Sequence, residues 1–304
     1  IKGFAGYFHA LVPIHPALIM IGITLLLIAV CLKGIKESVG AAAIFTVIEI
    51  LGLFFLVGSI FISQPDGFGS FTHNFEHALH TIDATALIGV LSATFIAFYA
   101  FVGFEDMVNI AEEVKEPQKA FPRAIITSMF FVTVLYTLVA VATLSVLTPQ
   151  VLGDSSAPLA KAYEVATKND ASIIILISLV ATLNGILANI IMGSRFLYGL
   201  GKRNWIPPWF SHVSTRHVPD RSLLIVAAIA LVGALLLPIE HLAQLTSLLL
   251  LCVFLAVNIS LAIIRRRDTD LGRHLQISPN YLPWVGIVAS GALLLGQCFV
   301  FFFN

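Results

Sequence analysis

The chain has 304 residues, 58% of them hydrophobic and 11% charged, whereas globular domains carry about 25% charged residues. A soluble protein this apolar could not cover its surface, so the composition names lipid as the solvent. A formal net charge of zero and a pI near 7.3 argue against nucleic acid as a partner.

A helix needs about 20 apolar residues to cross the hydrocarbon core. By that rule the sequence predicts eight spans, at 14–32, 39–62, 85–104, 124–147, 171–194, 222–239, 242–264 and 282–303. The second carries Glu49 in its middle, and the third breaks character near its end. The longest connections, near 63–84, 148–170 and 201–221, are expected to be loops or surface helices. No soluble domain fits between the spans. Cys31, Cys252 and Cys298 lie in apolar runs, with no metal-ligand spacing and no arguable disulfide.

Basic residues set the orientation. Lys33, Lys36, Lys115, Lys119, Arg123, Lys202, Arg203, Arg216, Arg221, Arg265, Arg266, Arg267 and Arg273 fall on one set of connections. Only Lys2, Lys161 and Lys168 fall on the other, and Arg195 sits near a helix end approaching the first set. The positive-inside rule places the richer set in the cytoplasm, so both chain ends face outward. That, with a start at Ile1-Lys2-Gly3 lacking an initiator methionine, predicts an N-terminally incomplete chain, a fragment or a processed one.

Residues 87 to 125 organise the rest. They open as a membrane-length apolar run and are interrupted at Phe101-Val102-Gly103-Phe104-Glu105, with Asp106 following. A short amphipathic turn from Val108 to Val114 then resumes, carrying Glu112 and Glu113, and Pro117 and Pro122 are expected to stop it. Non-helical backbone at membrane depth is tolerated only where it lines a cavity or is buried in protein. Many secondary transporters build their site from such interrupted helices.

Phe98, Ala100, Phe101, Gly103, Phe104 and Glu105, then Ala111 to Lys115, Pro117, Gln118 and Pro122 to Ile125, form a long ordered motif. It resembles the sixth helix and following loop of the amino acid–polyamine–organocation (APC) permeases. The early KGFAGYF and GIKES segments, Ser194 to Tyr198 with Asn204 to Pro207, and Val257-Asn258 before Arg265 to Arg267 resemble further landmarks of that family. The resemblance implies helices four to eleven of one permease domain covering 1–304, with the first three helices absent. It implies an all-α, multi-pass bundle with the leucine-transporter-like inverted five-plus-five repeat. The implied function is secondary transport of an amino acid or amine across the plasma (inner) membrane. No cofactor is implied.

The same resemblance to the arginine/agmatine antiporters puts Tyr99 at an aromatic lid position. It puts Ala100, Phe101, Val102 and Gly103 on an unwound substrate-binding segment. Tyr99 and Phe101 could equally be packing aromatics. Glu105 is an intramembrane acid and so a candidate for proton coupling, or alternatively an anion capping the resumed half-helix. Glu49 stands where many family members carry a lysine that fills a cation site, so the family's coupling scheme does not carry over directly. A carboxyl at that depth is a candidate proton carrier, or a neutral group hydrogen-bonded to a neighbouring helix. Ser178 and Thr182, one turn apart on one face, could ligate a cation such as sodium. With Asn184, Asn189 and Asn258 they could also be interhelical glue. Proton coupling is the expectation and sodium the rival; symport and exchange both stay open.

One pattern points to a different class. His73-Asn74-Phe75-Glu76-His77 matches the H-x-x-E-H arrangement of inverted zinc peptidases, with His80 a turn further on. Helical spacing would align His73, His77 and His80 as metal ligands require. The outward loop holding them leaves no room for a substrate cleft, so a polar surface helix is the expectation and a metallopeptidase the alternative.

Overall fold

The computed structural model describes residues 1–33, 39–67, 69, 71–72, 75–76, 84–104, 116–216, 218–267 and 279–303. Eleven helices carry these residues: α1 (Lys2–Leu11), α2 (Pro16–Leu32), α3 (Val39–Ser63), α4 (Ala84–Tyr99), α5 (Pro117–Leu144), α6 (Pro149–Gly153), α7 (Pro158–Thr167), α8 (Ser172–Lys202), α9 (Asp220–Leu236), α10 (Ile239–Arg267) and α11 (Leu282–Phe303). A 3₁₀ turn, Pro208–Ser211, lies between α8 and α9. The described residues are all-α, and each of the eight predicted spans coincides with one helix.

Their lengths differ. Ile44–Ser63, Lys119–Leu144, Ser172–Lys202 and Ile239–Arg266 are long and apolar enough to cross a membrane singly. Helices α1 and α2 reach that length and hydropathy only when taken together, and they are bent by 116° at the turn between them. Helix α4 has 16 residues, about 24 Å at 1.5 Å per residue, because the interruption ends it before the predicted span is complete. Helix α5 departs from the sequence expectation in the other direction. Pro117 opens it, but the helix runs through Pro122. Proline costs a helix one backbone hydrogen bond, and the apolar residues from Ile125 onward continue the helix past it.

Large apolar side chains face outward along these helices. Ile62 is 83% exposed, Phe130 72% and Leu295 73%. Soluble monomers do not display apolar surface on this scale. Such helices are stable only in hydrocarbon, so the chain is a multi-pass membrane protein.

The helices sort into two compact units, Ile1–Glu76 with Val132–Leu237, and His77–Phe131 with Pro238–Asn304. In the first unit α8 is the central member. On one side it closes a core of Phe4, Ile19, Ile23, Leu27 and Cys31 from α1 and α2 with Leu223 and Ala227 from α9. On the other it closes a core of Leu56, Val57 and Ile60 from α3 with the alanine face of α7. Small residues permit the close approaches: Gly52 lies against Ile177, Gly193 against Val226, and Gly201 against Phe210 and Ser211. This is how helices associate in lipid, where packing replaces the hydrophobic effect.

In the second unit α10 and α11 form the main pair and α4 packs on both. A side chain on Gly286 would collide with Asn258. The Asn258 amide itself donates to the Phe254 carbonyl at 2.8 Å on its own helix.

At the basic ends of the helices, cations cover aromatic rings. In the first unit Lys202 lies over Tyr198 at 5.7 Å and Arg221 over Trp209 at 5.3 Å. In the second, Arg266 lies over Trp284 at 4.7 Å. The loop after α8 is further fixed by Ser222, whose hydroxyl donates to Phe210 carbonyl, and by a 2.7 Å contact between His212 and Asp220.

Candidate functional site

Two regions contain the predicted site residues, one in each unit. The first is the end of α4. Its ladder closes into 3₁₀-type bonds: Ala100 N–H donates to Ala97 carbonyl at 3.0 Å, Phe101 to Phe98 at 3.0 Å and Val102 to Tyr99 at 3.2 Å. Gly103 then adopts φ +127°, a region open to glycine and costly for any residue with a Cβ. A Cβ on Gly103 would meet nothing within 4 Å. Among the described residues the demand for glycine there comes from the backbone conformation.

Tyr99 is 44% exposed, with Ala100 and Gly103 exposed and Phe101, Val102 and Phe104 half-buried. Phe95, one turn back, is buried. Phe254 of α10 meets Phe98 edge-on, with ring centroids 6.2 Å apart, and Phe104 at 5.5 Å. Glu105 lies outside the described residues, as do His73, His77 and His80. Among the described residues no group of histidine, cysteine, aspartate or glutamate is placed to hold a metal ion.

The second region surrounds α8. Glu49 on α3 accepts a 3.3 Å hydrogen bond from the Asn184 amide of α8, and Tyr136 of α5 lies within electrostatic reach of its carboxyl. Ile177, which packs on Gly52, precedes Asn184 by two helical turns, so the face of α8 turned to α3 carries both. Ser178 and Thr182 lie on a different face. Thr182 donates to the carbonyls of Ser178 at 2.7 Å and Leu179 at 3.1 Å. That commits the hydroxyl hydrogen but leaves the oxygen's lone pairs available, as a cation ligand requires. Tyr7 of α1 is hydrogen-bonded to the Ser178 side chain, and Gly3 of α1 rests against Thr182. The Glu49–Asn184 pair and the Ser178/Thr182 pair thus form two separate polar clusters on different faces of α8. Asn189 bonds back to Gly185 on its own helix at 2.8 Å.

A cavity of about 430 Å³ opens where α1, α7 and the start of α8 meet, lined among others by Leu11, Lys161, Glu164, Asp170 and Ile175. Tyr7 and Ser178 lie one turn deeper on the same two helices. The cavity's charges are engaged locally. Lys161 pairs with Glu164 at 3.7 Å, and Asp170 accepts from Ser172 N–H at 2.8 Å to cap α8. The Ser172 hydroxyl first, and that backbone bond second, hold the Asp170 carboxyl below its ordinary range.

Sequence reasoning missed the partners more than the positions. Tyr7, Tyr136, Ser247 and Phe254 gave no local signal, because each acquires its contact from a helix distant in sequence. Glu49, within an apolar run, announced that it needed a donor but not which one.

One unit holds an apolar helix that leaves regular geometry after Tyr99 and the other a long central helix with polar side chains, in an all-α lipid-embedded chain. The chain belongs to the family described as Amino acid permease, whose profile matches residues 3–304. It is 25% identical over 275 residues to a branched-chain amino acid permease of Lactococcus lactis, covering 88% of this chain and 58% of that protein. A cationic amino acid transporter of Arabidopsis thaliana, named mitochondrial, is 26% identical over 238 residues, covering 77% of this chain and 38% of that one. An uncharacterized transporter of Mycobacterium tuberculosis is 36% identical over 143 residues, 46% of this chain and 32% of its own length. The chain thus spans little more than half, or less, of these relatives. Family membership leaves the metallopeptidase alternative without support.

Proposed function

We propose that this chain forms most of the helical core of a secondary transporter moving an amino acid or related amine across the plasma membrane by alternating access. The observation that carries this is the interruption of α4 after Tyr99, with Gly103 at φ +127°, in a chain of the permease family. Backbone that leaves the helix can offer peptide groups to a substrate's ammonium and carboxylate. In this reading Ala100, Phe101, Val102 and Gly103 bind substrate and Tyr99 is an aromatic lid. The two units belong to one permease domain with the leucine-transporter-like inverted five-plus-five repeat.

Coupling is assigned to protons, with Glu105 beside the break as the carrier and Glu49 setting the resting charge of the α8 cluster. The Asn184 bond supports Glu49 as a group held in one geometry in both protonation states, since a carboxylate and a carboxylic acid can both accept from an amide. Sodium at Ser178 and Thr182 is the second reading, favoured by a Thr182 hydroxyl that donates its hydrogen within the helix and keeps acceptor capacity. Uptake of leucine and of arginine should be measured on the full-length protein in proteoliposomes, with each ion gradient imposed alone. Proton drive lost in Glu105→Gln and weakened in Glu49→Gln supports the assignment. Uptake driven by sodium and indifferent to pH would overturn it, and uptake of neither probe would count against an amino acid carrier.

A further inference from the structure

One face of α10 touches the α4 break on both sides. Ser247 is fully buried, and its hydroxyl donates to the Phe95 carbonyl at 2.8 Å, one turn before the helix stops. Helices bend where a side chain inserts on a ladder carbonyl. Phe254 lies seven residues further along α10 and so on the same stripe. Its ring meets Phe98 before the break and Phe104 after it, bridging the turn from Ala100 to Gly103. Behind this face α11 braces both neighbours. Asn258 rests on Gly286, Gly296 lies against Leu91 and Phe95, and the Gln297 amide donates to the Gln244 carbonyl at 3.2 Å.

We propose that Ser247 and Phe254 form a latch that fixes the geometry of the α4 break, and are thereby positioning residues for the substrate-binding backbone. Neither has to touch substrate. This rests on the reading that residues 100–103 bind it. The hydroxyl holds the last regular turn and the ring holds the two ends of the irregular segment, so its backbone is preorganised before substrate arrives. An ordinary packing contact would stabilise the helices evenly. A latch acts on the few peptide groups between its two grips.

The test uses full-length protein in nanodiscs, with backbone hydrogen exchange at 96–104 and binding of leucine and arginine read in parallel. Ser247→Ala is expected to speed exchange at 96–104 and weaken probe binding, each about threefold, the typical worth of one hydrogen bond between membrane helices. Ser247→Thr, which keeps the hydroxyl, should restore both. Phe254→Leu should loosen the same segment and weaken probe binding with it. Unchanged exchange at 96–104 in both Ser247→Ala and Phe254→Leu would overturn the latch. So would acceleration spread over all of α4 and α10 with a matching fall in melting temperature, which is the signature of general packing. Local acceleration with unaltered probe binding would overturn the positioning role. Normal probe binding by Gly103→Val would place that failure in the site assignment, whereas the exchange measurement judges the latch without any substrate.

Discussion

Gly103→Ala is the most informative single change in this chain. Gly103 sits at φ +127°, and an added Cβ would meet nothing within 4 Å. The cost is therefore conformational alone, about 1–3 kcal/mol for a residue with a Cβ in a sparsely populated backbone region. If the native turn is the binding-competent form, that energy lowers apparent substrate affinity about 5- to 150-fold. Valine should cost at least as much as alanine, because a β-branched side chain is least tolerated at positive φ. Uptake of leucine and arginine by full-length variants in proteoliposomes, with reconstituted protein quantified, checks this. An alanine variant with normal uptake beside an inactive valine variant would show that space and not backbone conformation matters, and would refute the reasoning.

Other outcomes follow from the packing around α8. Asn184→Leu removes the amide that donates to Glu49 and should lower stability by about 0.6–1.7 kcal/mol, read as a lower melting temperature in detergent; Glu49→Gln, which can still accept from Asn184, should melt near the parent. Gly52→Leu drives a side chain into Ile177 and should cost about 1–3 kcal/mol by overpacking, whereas Gly185→Ala, with nothing within 4 Å of its Cβ, should not destabilise. At the loop before α9, partial burial alone would raise the Asp220 carboxyl, but the hydrogen bond from His212, the Arg221 N–H and the charges of both outweigh it and hold the group below its ordinary range. A depressed carboxylate contributes stability above its unfolded pKa of about 3.9 and loses it as pH falls through the lower folded value. Proteolysis of the 203–219 loop should therefore stay slow at neutral pH and quicken below about pH 4, and Asp220→Asn should remove that acid step.

The membrane class and all eight helix positions were legible because lipid demands long apolar runs, a signal that survives without tertiary information. Helix ends were less legible. Hydropathy marks the part of a helix immersed in lipid, so α8 was expected at 171–194 yet continues through the polar Ser194–Lys202 segment as regular helix. Pro122 reads as a stop in isolation, but the apolar run beyond it decides the outcome. The interruption at 100–103 was legible because glycine between aromatics is poor helix material. The separation of Glu49 from Ser178 and Thr182 was not, since it depends on which face of α8 packs on α3, and the Gly52–Ile177 contact fixes that.

The aromatic rings beneath Lys202, Arg221 and Arg266 act like the waterline painted on a hull. Each pair couples a group that belongs in the headgroup layer to one that belongs at its inner margin. Sinking such a helix by one turn, about 5.4 Å, would pull a cation towards hydrocarbon; raising it would strand the ring in water. Vertical pistoning is thus opposed in both directions, while tilt and swivel about the marked depth are left comparatively free. In the proposed transport cycle, each of these helices is expected to rock at constant draught.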